Sequence, residues 1–178
     1  IKIIAPWREW AFNSRKDLVR YARLNKIAID FDLGKKSPYS MDANILHTSY
    51  EGGILEDPWK TPEESMWLRT KSIENAANKA DILELEFKNG DIIKINKKIL
   101  SPCKVLEKLN QLAGKHGIGR IDIVENRYVG IKSRGCYETP GGTIYHKAHK
   151  AMESITMDRE LLHLKEDLAN RYTRLIYN

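Results

Sequence analysis

The stretch DILELEFKNGDIIKINKK, residues 81–98, carries the clearest local signal in the sequence. Apolar and polar residues alternate on both sides of Asn89 and Gly90. Alternation is the two-residue period of a strand with one buried face, and Asn followed by Gly tolerates the positive φ angles of a type I′ turn. The stretch therefore predicts a β-hairpin.

Helical patterns dominate the chain after this hairpin. Ser101 followed by Pro102 is typical of an N-cap and a first helical position, and an apolar stripe continues to about Lys115. We interpret the Pro-Gly-Gly sequence at 140–142 as a turn. The other predicted elements are a strand at 119–124, a helix at 143–154 and a helix at 157–175 capped by Thr156.

The chain before the hairpin is less regular. Ser14 is a candidate cap for an amphipathic helix at 14–25, and a short strand is expected at 28–31. Residues 32–53 predict a long loop, and residues 58–79 predict a surface loop with a weak helix near 72–78. Strands and helices do not follow a βαβ rhythm, so we predict an α+β domain with a mixed or antiparallel sheet and flanking helices.

Composition limits the class of protein. The 178 residues, 42% hydrophobic and 30% charged, suit about one soluble globular domain. No apolar run approaches the ~20 residues that cross a bilayer, so no membrane partner is expected. Cys103 and Cys136 lack a CxxC spacing, which favours free thiols and the cytoplasm. Lys and Arg are interspersed with Asp and Glu, so the net charge of +6 is typical of a solvated surface.

Patterns for a metal, a nucleophile or a nucleotide are weak. His146 and His149 lie three residues apart, but a zinc site would need distant partners, so we predict no metal site. The sequence contains no GxSxG nucleophile motif and no GxxxxGK[ST] or GxGxxG phosphate-binding motif. We therefore predict no catalytic thiol and no ATP-binding loop in this chain.

Polar side chains instead concentrate in the predicted loop at 32–53 and in the stretch 125–139 that follows the predicted strand at 119–124. Carboxylates pair with ammonium groups, hydroxyls satisfy a carboxylate or an uncharged amide, and a tyrosine ring covers an aliphatic chain. The set favours a small zwitterionic ligand, and turn capping is the alternative use of the loop Ser, Asp and Asn residues. The residues are Ser40, Asp42, Asn44, Ser49, Tyr50, Glu51, Glu125, Asn126, Lys132, Ser133, Arg134, Tyr137, Glu138 and Thr139.

Four stretches give the sequence a family resemblance. They are APWREW, PYSMDANILHTSYEGGILEDPW, GKHGIGRIDIVENRYVGIKSRGCYETPGGTI and SITMDRE. The sequence resembles the argininosuccinate synthase family, ATP-dependent ligases of arginine biosynthesis that join citrulline to aspartate. The resemblance implies a citrulline-binding synthetase domain at 1–155 and a helix at 156–178 that begins an oligomerisation region. It also implies that the nucleotide-binding domain lies outside this chain.

The same resemblance assigns residues and partners. It places citrulline on Ser40, Ser49, Glu125 and Tyr137, leaves the catalytic residues unknown, and puts ATP and Mg²⁺ mainly on the domain outside this chain. The implied reaction forms citrullyl-adenylate and pyrophosphate, after which the aspartate amine displaces AMP. The family resemblance further implies a homotetramer. We expect this part of the protein alone to be inactive.

Two other functions are open on the sequence. The first is a basic module that binds nucleic acid or another anion through Lys132, Ser133 and Arg134, although these residues lack the interleaved aromatic residues of single-strand platforms. The second is a purely structural domain whose C-terminal helices build an oligomer. The resemblance favours the ligase over both.

Overall fold

The computed structural model describes residues 2–28 and 39–177 of the chain. The chain divides into two compact units, Ile1–Pro38 and Tyr39–Asn178. The second unit contains both β-sheets. Within the described ranges, no helix is long and apolar enough to cross a lipid bilayer.

Two helices lie within residues 2–28 of the first unit. Helix α1 spans Pro6–Glu9 and helix α2 spans Arg15–Leu24. The Ser14 hydroxyl accepts a hydrogen bond from the backbone N–H of Asp17, so the predicted cap of α2 is confirmed. The strand predicted at 28–31 lies outside the described residues except for its first position.

The second unit is built from two antiparallel sheets and three helices longer than three turns. The larger sheet consists of β1 (Ser40–Ala43), β2 (Thr48–Glu51), β6 (Arg120–Asn126) and β7 (Lys132–Glu138), in the order β1-β2-β7-β6. The smaller sheet consists of β3 (Leu85–Lys88), β4 (Asp91–Ile95) and β5 (Lys98–Ile99). The helices are α3 (Pro102–Lys115), α4 (Pro140–Thr156) and α5 (Arg159–Tyr177). The predicted α+β class is confirmed.

The predicted hairpin is confirmed at β3 and β4. Asn89 has φ 52° and Gly90 has φ 89°, the positive values that a type I′ turn requires. Helix α3 begins and ends as predicted, although the Ser101 hydroxyl makes no capping bond. The apolar sides of β4 and α3 form one core, because their alternating and helical stripes face each other. Its buried residues are Ile92, Ile95, Val105 and Leu109.

The Pro-Gly-Gly sequence begins helix α4, so its interpretation as a turn is wrong. The Asn110 side chain accepts a hydrogen bond from Gly141 N–H at 2.8 Å. A Cβ atom added at Gly141 would lie 2.7 Å from the Asn110 Oδ1 atom and 2.8 Å from its backbone nitrogen. Glycine is a weak helix former, but here the missing side chain allows α4 to approach α3 closely.

The loop predicted at 32–53 is wrong where the structure describes it, because β1 and β2 pair there over four positions. The sequence also predicts a loop at Lys132, Ser133 and Arg134, but these residues begin strand β7. On the side of β7 that faces the core, the residues are Arg134, Cys136 and Glu138, so the usual apolar alternation is missing. Polar groups with internal partners take the place of aliphatic side chains, which hides the strand from sequence periodicity.

The segment 58–79 and the start of α5 also differ from what the sequence predicts. Met66, Thr70 and Ser72 are buried, so part of the predicted surface loop lies in the interior. Thr156 belongs to α4 and does not cap the next helix. The Asp158 carboxylate caps α5 instead, because it accepts the backbone N–H groups of the second and third residues after it.

Candidate functional site

One face of the larger sheet carries all four residues of the predicted citrulline site. Directly paired residues of antiparallel strands project from the same face, as do residues two apart in one strand. Ser49 pairs with Tyr137, Glu125 pairs with Ser133, and Ser40 stands two positions from the partner of Ser49. We call this side the open face. Its residues are Ser40, Asp42, Ser49, Glu51, Ile121, Ile123, Glu125, Ser133, Gly135 and Tyr137.

Tyr137 and Glu125 are in direct contact on the open face. The Tyr137 hydroxyl donates a hydrogen bond of 2.7 Å to Glu125 Oε1. The Tyr137 ring lies over Gly135, where an added Cβ atom would stand 2.5 Å from the ring. Glycine at 135 therefore makes room for the ring to reach β6. Burial and the bond to Glu125 raise the pKa of Tyr137 to about 12, so its hydroxyl remains a donor at neutral pH.

A second carboxylate on this face is paired with a cation. Arg127, in the turn between β6 and β7, contacts Glu51 Oε2 through its guanidinium nitrogen at 3.1 Å. Its backbone N–H and C=O close the turn by bonding to Ile131 and Gly130. Glu51 also acts electrostatically on the Tyr137 hydroxyl. The Tyr137 hydroxyl therefore has two carboxylates and one guanidinium in its electrostatic surroundings.

The two serines lie toward the other edge of the open face. Ser49 is half-buried, and its hydroxyl donates a long bond of 3.4 Å to the backbone carbonyl of Asp42. Ser40 is exposed and pairs with Glu51 across the hairpin. The His47 ring stands 6.2 Å from the Tyr137 ring, centroid to centroid. The sheet thus gathers the four predicted residues, but only Tyr137 and Glu125 touch directly.

The opposite face of the sheet packs against the interior at β2 and at the end of β7. Glu138 is fully buried, and its carboxylate accepts the Tyr50 hydroxyl at 2.5 Å and the Thr70 hydroxyl at 2.5 Å. The backbone N–H groups of Leu68, Arg69 and Thr70 donate to it as well. The sequence pattern included Tyr50 and Glu138 among the candidate ligand residues on loops. The structure instead places both in strands, with their side chains buried. Their hydrogen bonds connect the larger sheet to residues 68–70.

The basic residues next to the site point elsewhere. Lys132 pairs with Asn126 and Arg134 pairs with Val124, positions that project from the face opposite Glu125 and Ser133. The Arg134 guanidinium is bound to Asp122 at 2.7 Å and to two backbone carbonyls. The predicted polar loop at 132–134 is therefore a strand whose residues divide between two faces. Nothing in this arrangement favours the nucleic-acid alternative.

Neither cysteine is placed for catalysis. Cys136 is buried, and burial together with nearby Asp122 raises the pKa of its thiol to about 11. A thiol that stays protonated at neutral pH is a weak nucleophile. Cys103 is exposed and also free. Over residues 2–28 and 39–177, no three or more His, Cys, Asp or Glu side chains are grouped to hold a metal ion.

Sequence reasoning missed Arg127, His47 and Gly135. Arg127 stands two residues after Glu125 but lies in the turn beyond the end of β6, so strand alternation does not decide which side it faces. Gly135 stands two residues before Tyr137, and strand alternation places both on one side, but only with β7 assigned as a strand. No sequence signal connects His47 with Tyr137, because ninety positions of chain separate them.

Comparisons with known proteins identify the family of the chain. Residues 39–178 match the family described as Arginosuccinate synthase C-terminal domain. The chain is 62% identical to the argininosuccinate synthase of Nitrosococcus oceani, 63% to that of Nitratiruptor sp. and 60% to that of Methylococcus capsulatus. Each comparison covers 100% of this chain and 44% of the relative, so the chain spans less than half their length. A match over most of the chain, with this identity throughout, shows that the chain belongs to the argininosuccinate synthase family.

Proposed function

We propose that this chain is the citrulline-binding part of an argininosuccinate synthase. The complete enzyme would condense citrulline with aspartate, converting ATP to AMP and pyrophosphate. The observation that carries the proposal is the Tyr137–Glu125 contact on a face that also holds Ser40 and Ser49. These residue types suit an amino acid with one ammonium, one carboxylate and a neutral side chain.

Each residue has a chemical role in this proposal. The Glu125 carboxylate pairs with the α-ammonium of citrulline through a charge-assisted hydrogen bond. Ser40 and Ser49 supply rotatable hydroxyls for the carboxylate or the ureido group. Tyr137 holds Glu125 in place with its hydroxyl and offers a ring face to the aliphatic chain.

The chemistry would then consist mainly of positioning. The ureido oxygen of citrulline attacks the α-phosphorus of ATP, pyrophosphate leaves, and the aspartate amine later displaces AMP. Both steps require two reactants held at reacting distance, which lowers the entropic part of the barrier. The described residues offer no set of metal ligands for the Mg²⁺ that accompanies ATP. We propose that ATP and its metal are held mainly by the part of the enzyme beyond this chain.

The proposal extends to organisation and location. We propose a synthetase domain at 1–155 and an oligomerisation helix beginning in 156–178, within a homotetramer. The row of exposed apolar side chains on α5 supports the proposal that this helix takes part in oligomerisation. The unpaired Cys103 and Cys136 support a reducing compartment, the cytoplasm.

The test is Glu125→Gln in the full-length enzyme. Loss of a charge-assisted bond of about 1.5–3 kcal/mol should raise the KM for citrulline roughly 10- to 150-fold, with the KM for ATP little changed. Tyr137→Phe is the matched variant, because it removes the bond to Glu125 but leaves the charge, and a smaller effect is expected. An unchanged citrulline KM with normal turnover in Glu125→Gln would refute the assignment.

A further inference from the structure

The two carboxylates near the Tyr137 hydroxyl, Glu51 and Glu125, have different partners within the protein. Glu51 faces the Arg127 guanidinium at 3.1 Å, and this contact raises the pKa of Arg127 above its usual value. Glu125 receives one hydrogen bond from the described residues, from the neutral Tyr137 hydroxyl. Of the two carboxylates, Glu51 is therefore in direct contact with a cation of the protein, whereas Glu125 interacts with the same guanidinium only at longer range and has room for a ligand ammonium.

The position of the pair makes this difference relevant to the ligand. Glu51 lies on the open face two residues beyond Ser49, and Arg127 begins the turn that follows Glu125. The pair thus connects β2 with the β6–β7 hairpin beside the predicted site. Asp42 also lies on the open face, but it is on the edge strand β1.

We propose that Arg127 is a specificity-determining residue of the citrulline site. By occupying Glu51, it leaves one carboxylate for one ammonium, and its positive charge disfavours a ligand with a second cation. This inference rests on the proposed function. The discriminated class is that of amino acids with a cationic side chain, of which ornithine is the simplest analogue, because it has an ammonium where citrulline has the neutral ureido group.

The physical basis is a difference between ligand charges. In the native site a second ammonium meets the Arg127 charge and finds Glu51 already paired. Replacement of Arg127 by Gln removes the repulsion and frees the Glu51 carboxylate. Citrulline, whose side chain is neutral, is much less sensitive to either change. Specificity of this kind comes from a repulsive group as well as from attractive contacts.

A structural role for the pair makes different predictions. If Arg127 only closes the β6–β7 turn, its replacement should weaken citrulline and ornithine equally. In that case, the ratio of the two affinities would stay at the native value in Arg127→Gln and in the variant that also lacks Glu51. The two roles are therefore distinguished by the ratio of the two affinities, not by the loss of activity.

The experiment uses full-length enzyme with Arg127→Gln, Glu51→Gln and the double variant. The measurements are the KM for citrulline and the inhibition constant of L-ornithine against citrulline, at constant ionic strength. For Arg127→Gln we expect ornithine to bind about 1.5- to 5-fold more tightly relative to citrulline, the range of one partly exposed ion pair. The double variant should return the ratio to near the native value, because the freed carboxylate is gone.

Lys94→Gln is the matched control. It also removes a cation from an ion pair between neighbouring strands, with Glu86 at 2.7 Å, but in the smaller sheet. We expect its affinity ratio to equal the native one. An equal change of both affinities in Arg127→Gln, or a shift in Lys94→Gln as large as in Arg127→Gln, would overturn the inference. If Glu125→Gln leaves citrulline unaffected, the proposed site fails; if Glu125→Gln weakens citrulline but Arg127→Gln leaves the ratio unchanged, only the role of Arg127 fails.

Discussion

The buried carboxylate of Glu138 should contribute strongly to stability, and Glu138→Gln tests this with little change of shape. Oε2 accepts the Tyr50 hydroxyl at 2.5 Å and Leu68 N–H at 2.9 Å, while Oε1 accepts Thr70 N–H at 2.9 Å and the Thr70 hydroxyl at 2.5 Å. Arg69 N–H is shared between both oxygens. All these partners are donors, so the site requires an acceptor on both sides.

The expected loss follows from these contacts. A glutamine places an NH₂ group either against Leu68 N–H, which then keeps only a longer bond of 3.3 Å to the Tyr50 hydroxyl, or against Thr70 N–H, which then loses its acceptor. Hydroxyls can rotate to accept from the new NH₂ group, but a backbone N–H cannot. One buried unsatisfied donor costs about 1–3 kcal/mol. The remaining bonds also lose the assistance of the charge, which roughly doubles the strength of a hydrogen bond. Relief of the burial cost of the charge offsets part of this, so we expect a net loss of about 2–4 kcal/mol.

Hydrogen exchange of the peptide that covers residues 66–71 is the appropriate assay, because it reads the amides bound to Glu138 directly. A loss of about 2–4 kcal/mol corresponds to exchange roughly 30- to 700-fold faster when these amides exchange through the same opening. Glu63→Gln is the matched control, because Glu63 also accepts a tyrosine hydroxyl, from Tyr39 at 3.1 Å, but is exposed. Exchange in Glu138→Gln within fivefold of the native rate would refute the reasoning.

Two further predictions concern the open face and α5. Replacing Ser40 or Ser49 with Ala should lower turnover or citrulline affinity, with stability changed by less than ~1 kcal/mol in urea unfolding, because neither hydroxyl holds a buried group. A large stability loss with normal kinetics would instead assign these serines to the fold. Leu164 and Leu168 are 54% and 50% exposed on α5, so Leu164→Glu and Leu168→Glu should weaken the proposed tetramer in light scattering. Tetramers that persist in both variants would show that these leucines lie outside the interface.

The sequence by itself determined the elements whose cause is local. Asn89 and Gly90 require a tight hairpin turn because few residues other than these adopt positive φ without cost. The limits of α3 follow from Ser101-Pro102 and from a stripe that repeats at helical spacing. The family resemblance is also a property of the sequence alone, since it depends on four characteristic stretches of residues.

The tertiary structure alone decided β7 and the start of α4. The core-facing residues of β7 include a carboxylate, which is stable inside only because Tyr50 and the segment 68–70 supply its donors from distant parts of the chain. A glycine stands at position 141 of this helix because Asn110 occupies the space that a side chain would need. Neither reason is visible within a short window of sequence.

The sequence and the tertiary structure each determine part of the open face. Sequence and resemblance supplied Ser40, Ser49, Glu125 and Tyr137 as residue types. Only strand pairing puts them on one side of one sheet, because the register of β2, β7 and β6 decides which side each residue faces. The same pairing brings Arg127 to Glu51 across seventy-six positions of chain. A long-range ion pair of this kind depends on how strands are ordered in a sheet, and local sequence does not encode that order.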